Sequence, residues 1–240
     1  MGNSKFFAAI TVGSQNVILK IMDIRKQELL EYVKAEVSIG TDIYNGGKIE
    51  ARTVQQVAEA LRGFVQLLKE YGVEDYRAVT VSSVQEASNA DYIKEQIRIQ
   101  TGLWLEGISN GMERFLHNQA AAWRTPDFST LIQEGTMLID IGTGSIQLTV
   151  YDEGNFMFSR NIKLGPLRVR ELLAKLKGET SNFKDLLEDY IFSKIRDYAQ
   201  FAPKNVDYKH FILIGTELLS FKRAFFEKKT CRSNECRLFL

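Results

Sequence analysis

Apolar and polar residues alternate along this chain in two rhythms. Short apolar runs bounded by glycine or polar turns predict strands at Phe6–Val12, Val17–Asp23, Glu28–Ser38, Tyr76–Val84 and Leu103–Ile108. Val54, Val57, Ala58, Leu61, Phe64, Val65 and Leu68 recur at three- and four-residue steps and predict a helix over Glu50–Tyr71, ended by Gly72. Further helices are predicted from Asn89 or Asp91 to Gln100, closed by Gly102, and from Met112 to Arg124. Gly40-Thr41-Asp42 and Asn45-Gly46-Gly47 read as loops. The order β-β-β-α-β-α-β-α forms an α/β unit.

A polar stretch, Thr125–Thr130, holds Pro126 and marks the predicted domain boundary. Beyond it, strands are predicted at Met137–Ile141, Ile146–Val150, Asn155–Leu164 and Phe211–Ile214. Helical patterns follow Leu167 and cover Phe183–Phe201 and Leu218–Lys229. The second block thus repeats the first and then stops. The domains read as residues 1–126, residues 127–230 and incomplete, and a tail at 231–240 with no periodic face, expected to be disordered.

Each block begins with a strand, a small-residue turn and a second strand. The turns are Gly13-Ser14-Gln15-Asn16 and Gly142-Thr143-Gly144-Ser145. Glycine lets the backbone turn tightly and approach a ligand closely. Asp140 closes a buried apolar run just before the second turn. A carboxylate there, beside backbone N–H groups, suits a metal-bound phosphate. Two plain hairpins, with Asp140 as a turn residue, account for the same pattern.

Composition narrows the choice. The chain has 240 residues, with Lys+Arg 31 against Asp+Glu 30 and a net charge of +1, so there is no global electrostatic case for DNA or an anionic membrane. An anion site must be local. Cys231 and Cys236, both near the end, make neither a disulfide framework nor a zinc set, which reads as a reducing, cytoplasmic setting. The apolar run Phe6–Val12 is too short for a signal core or a membrane span. His117 and His210 stand far apart, and nothing in their spacing supports a Ser-His-Asp hydrolase.

With these blocks placed, the chain resembles the Ppx/GppA family of exopolyphosphatases and guanosine pentaphosphate phosphohydrolases. The likeness is carried in order by Ala8–Ser14, Ser82–Ala90, Ile108–Glu113, Leu138–Gln147 and Leu164–Arg168. It implies the actin-like ATPase (ribonuclease H-like) fold: two similar mixed-sheet α/β domains, the second truncated, with a phosphate chain lying in a cleft between them. It further implies phosphate binding by Gly13, Ser14, Gln15, Gly142, Thr143, Gly144 and Ser145, Mg²⁺ on Asp140, and Glu113 as the base that activates water. The substrate would be polyphosphate or guanosine pentaphosphate (pppGpp). As a first-turn carboxylate, Glu113 is also accounted for by the helix dipole alone.

The departures from the family pattern matter. Thr11 stands where the first loop has an aspartate, Gln85 where an arginine is expected, and Phe115 where many members have another arginine. Thr143 replaces a glycine, Gln147 an acid, and Glu217 intrudes on the late glycine motif. Each weakens metal binding or charge neutralisation. The alternative reading is therefore a weak or inactive relative that binds polyphosphate, a nucleotide or a protein partner. A sugar or acetate kinase of the same fold is less favoured, since Gly215-Thr216-Glu217 makes a poor adenosine segment. The chain is short for the family, and Leu218, Leu219, Phe221, Phe225 and Phe226 are expected to expose apolar surface and favour a homodimer.

Overall fold

The computed structural model describes residues 5–174, 182–215 and 236–239. The chain divides into two compact units, Met1–Glu113 and Arg114–Leu240.

The first unit opens with a meander of β1 (Phe6–Val12), β2 (Asn16–Asp23) and β3 (Glu28–Glu36). Helices α1 (Ile39–Gly46) and α2 (Ala51–Glu70) follow, then β4 (Asp75–Thr80), α3 (Ala90–Thr101), β5 (Glu106–Gly107) and the start of α4 (Asn110–Arg124). The sheet order is β3-β2-β1-β4-β5, antiparallel from β1 to β3 and parallel from β1 through β4 to β5. Strands β1 and β2 alternate because one set of side chains, Ala8, Ile10, Val12, Val17, Leu19 and Ile21, is buried. The apolar stripe of α2 buries Val54, Val57, Ala58, Leu61, Phe64 and Leu68 in the same core. Side chains of this size each contribute about 1.5–3 kcal/mol when fully buried. Among the described residues no strand pairs with the outer side of β3, and its residues are exposed or half-buried, as its charges predicted.

The second unit continues with α5 (Phe128–Leu131), β6 (Gly135–Ile141), β7 (Ile146–Asp152), β8 (Asn155–Ile162), α6 (Pro166–Ala174), α7 (Phe183–Phe201), β9 (Tyr208–Ile214) and β10 (Cys236–Phe239). Its sheet order, β10-β9-β6-β7-β8, is that of the first unit element for element. Strands β6, β7 and β8 form the antiparallel meander, and β9 and β10 add in parallel. The fold class expected from the sequence is therefore present: two mixed sheets of one topology with flanking helices. Among the described residues the second sheet has five strands, as the first does.

Four local expectations change. Ile39–Gly46 is a helix rather than a loop: Ile39 and Ile43 anchor it in the core, and left-handed Gly47 (φ 72°) caps it by donating its N–H to Ile43 O. Strand β5 keeps only two residues of the predicted Leu103–Ile108, and β4 ends at Thr80, where the chain turns through Val84–Glu86. Around the unit boundary, Ala121 packs with Leu131, Leu138 and Ile212 in the second unit's core. Within the tail expected to be disordered, Cys236–Phe239 pair with Phe211–Ile214. Glu217 and the apolar residues Leu218, Leu219, Phe221, Phe225 and Phe226, on which the dimer expectation rests, lie outside the described residues.

Candidate functional site

In the first unit, chemistry collects at the C-terminal ends of the parallel strands, where open α/β sheets bind ligands. The turn after β1 is closed by Gly13 N–H donating to Asn16 O at 2.8 Å. A Cβ on Gly13 would come within 3.2 Å of that same oxygen, a tight contact. Ser14 is buried, and its hydroxyl shares a 2.6 Å hydrogen bond with the Ser83 hydroxyl after β4. The backbone carbonyls of Ser14 and Gln15 accept from Gly40 N and Val37 N, so the turn is held from two sides.

Glu113 belongs to this same end. Ser109 starts its helix, with Ser109 Oγ accepting from Met112 N and Ser109 O from Glu113 N. Ser82 N–H then donates to Glu113 Oε2 at 3.0 Å. The segment that brings Ser82 and Ser83 to the turn thus also fixes the carboxylate. Thr11, which stands where the resemblance places an aspartate, is half-buried within β1. Gln85 is half-buried: its Nε2 donates to buried Thr80 Oγ1, and its Oε1 accepts from Lys94 Nζ at 3.5 Å.

In the second unit, Gly142 N–H donates to Ser145 O at 3.0 Å and closes the turn between β6 and β7. The N-terminal end of α6 is seated against it. Thr143 O accepts from Leu167 N, and Gly144 O accepts from Arg168 Nε at 2.9 Å. A Cβ on Gly165 would stand 2.3 Å from Thr143 O, and one on Gly215 (φ 138°) 2.3 Å from Ile141 O. Backbone therefore packs on backbone around the turn. Gly142, Thr143, Gly144 and Ser145 form the turn between two strands that the sequence predicted.

Asp140 precedes that turn and is buried, with Oδ2 hydrogen-bonded to Nδ1 of His117 on α4. Directly across the ladder lies Gln147, also buried, and its Oε1 has no hydrogen-bond partner among the described residues. Magnesium takes one or two carboxylates and completes its shell with substrate phosphates and water. Asp140, with one oxygen held by His117, and the orphaned carbonyl oxygen of Gln147 fit an ion that arrives with its phosphate. They do not make a self-sufficient cage, and among the described residues no group of three or more His, Cys, Asp or Glu could form one.

Of the predicted residues, Gly13, Ser14, Gln15 and Glu113 lie at the strand ends of the first unit, and Asp140 with Gly142–Ser145 at those of the second. Sequence reading missed Ser83, Lys94 and His117. His117 and Asp140 are 23 positions apart, and no spacing links them. Lys94 reads in sequence as an ordinary exposed helix charge.

The model of the Ppx/GppA phosphatase family matches residues 17–219. The chain belongs to that family. The match covers Glu113, Asp140 and the second turn and begins after the first, Gly13–Gln15. Solved structures agree on the fold. A Ppx/GppA family member from Aquifex aeolicus is 20% identical, with a TM-score of 0.69 over 95% of this chain and 71% of its own. An exopolyphosphatase from Cytophaga hutchinsonii is 16% identical, with a TM-score of 0.75 over 94% of this chain and 72% of its own. A chain of the PilM-PilN type IV pilus biogenesis complex, 11% identical, also superposes, with a TM-score of 0.57 over 90% of this chain and 82% of its own. Identities this low speak for the fold alone. No curated protein matches the chain significantly. Among the described residues, no helix is long and apolar enough to cross a membrane.

Proposed function

We propose that this protein is a phosphohydrolase of the exopolyphosphatase and guanosine pentaphosphatase type, releasing phosphate from polyphosphate or pppGpp. Membership of the Ppx/GppA family supports the general role on polyphosphate-like substrates. The observation that carries the mechanism is the fixed carboxylate of Glu113. Its Oε2 is held by Ser82 N–H beside the Ser83–Ser14 hydroxyl pair, which leaves Oε1 for a water proton.

In the proposed step, water oxygen bonds to the terminal phosphorus and the P–O bond to the bridging oxygen breaks. Glu113 takes the water proton, and the shortened chain leaves with the bridging oxygen. In the first unit, the hydroxyls of Ser14 and Ser83 hold phosphate oxygens. Asp140, oriented by His117, and Gln147 would hold Mg²⁺, which would supply neutralisation of phosphate charge. Phosphate release from polyphosphate and from pppGpp, each with Mg²⁺, tests the reading. Glu113→Gln is expected to lower the rate about 10²–10⁴-fold. A rate that the substitution leaves untouched removes Glu113 from the chemistry.

A second reading is favoured by a specific observation: Asp140 is engaged by a histidine and faces a carboxamide rather than a second acid. That arrangement suits a relative that binds a phosphate compound and turns it over slowly or not at all. Such a protein would melt at a higher temperature with polyphosphate while releasing no phosphate.

A further inference from the structure

We propose that Lys94 is a phosphate-binding residue of the first unit, released onto the ligand from its contact with Asp91. The inference rests on the phosphate-site reading above. The strand ends there present hydroxyls, backbone N–H groups and one fixed carboxylate, Glu113. A polyanion beside that carboxylate needs a nearby cation.

Gln85 shows where the cation comes from. Its Nε2 donates to Thr80 Oγ1, and Thr80 is buried at the end of β4, paired in register with Val12 on one side and Gly107 on the other. A Cβ on Gly107 would meet Gln85 Oε1 at 2.6 Å, so the carboxamide lies flat over the end of β5. Its oxygen is thus committed to one direction, and Lys94 Nζ stands at 3.5 Å from it. The ammonium thus stands beside the carboxamide of Gln85, which lies two residues after Ser83 and is bonded to the last residue of β4.

The other partner of Lys94 is easily given up. Asp91 lies 2.7 Å from Nζ, one turn earlier on α3, and its side chain is 94% exposed against 24% for Lys94. An exposed pair at this spacing is weak and salt-screened. A phosphate oxygen, with more charge and no side-chain entropy of its own, outcompetes it. Lys94 keeps the hydrogen bond to Gln85 while its remaining protons turn to the ligand.

Calorimetric titration of the whole protein with inorganic tripolyphosphate at low and high salt tests this. Lys94→Met is expected to weaken binding about tenfold and to flatten its salt dependence, with Lys94→Arg restoring most of the affinity. Asp91→Asn is expected to tighten binding about two- to fivefold, because it frees the ammonium. Lys94→Met affinity equal to wild type overturns the proposal, and so does a loss of affinity in both Lys94→Met and Asp91→Asn, which would mark the pair as a helix contact only. Wild-type protein that binds no tripolyphosphate defeats the phosphate reading of the whole site. Wild-type binding that ignores Lys94 defeats this inference alone.

Discussion

Tyr198 and Glu113 show how differently a polar side chain fares by its surroundings. Glu113 sits in the first turn of α4 and has a backbone donor at 3.0 Å. Tyr198, on α7, packs its ring on Phe158 in the second unit's core, and its buried hydroxyl has no partner among the described residues. Burial, with a smaller contribution from Tyr208, pushes its pKa up to about 12 from an ordinary value of 10.0. The sign follows. As pH rises past 10.0 the unfolded chain's tyrosine ionises while the folded one holds its proton, so the stability it lends is lost progressively up to about pH 12. Tyr198→Phe deletes an unsatisfied hydroxyl and keeps the ring. It is expected to leave stability at neutral pH unchanged or slightly raised, and to reduce the loss of melting temperature between neutral and alkaline pH. A marked destabilisation at neutral pH would mean that the hydroxyl has a partner. None of this is legible in sequence, where Tyr198 is one more apolar position on a helix face.

Among the elements, the joint between the β6–β7 turn and α6 is the most constrained. Leu164-Gly165-Pro166 reads in sequence as a strand end and a break. The structure adds the reason for the glycine: the turn's backbone lies where a side chain would stand, 2.3 Å from Thr143 O. Gly165→Ala must lift α6 off the turn, which releases the N–H donors of Leu167 and Arg168 from Thr143 O. The expected cost is about 1–3 kcal/mol by denaturant titration, together with weaker phosphate binding. A neutral result would show that the joint yields. Helix α1 teaches the converse lesson. Its glycines and polar residues argue for a loop, yet Ile39 and Ile43, one turn apart, find core partners and the helix forms. Propensity is a weak prior, and tertiary burial outweighs it.

For the molecule as a whole, the metal expectation takes a specific form. With one carboxylate oxygen committed to His117 and one neutral oxygen across the ladder, the protein alone offers little to a divalent ion. Mn²⁺, used as a paramagnetic stand-in for Mg²⁺, is expected to bind weakly without substrate. It should bind measurably tighter with polyphosphate present, to a degree that Asp140→Asn abolishes, read by water-proton relaxation. Tight Mn²⁺ binding without polyphosphate would contradict this donor set. The amino-acid sequence by itself determined the two repeated blocks, their strands and main helices, both small-residue turns and the family, because these rest on local periodicity and on contiguous motifs. Only the tertiary structure decided which polar groups meet. The pairings of His117 with Asp140, Ser83 with Ser14, Ser82 with Glu113 and Lys94 with Gln85 join residues from 9 to 69 positions apart, brought together by strand register and helix packing that no short stretch of chain encodes.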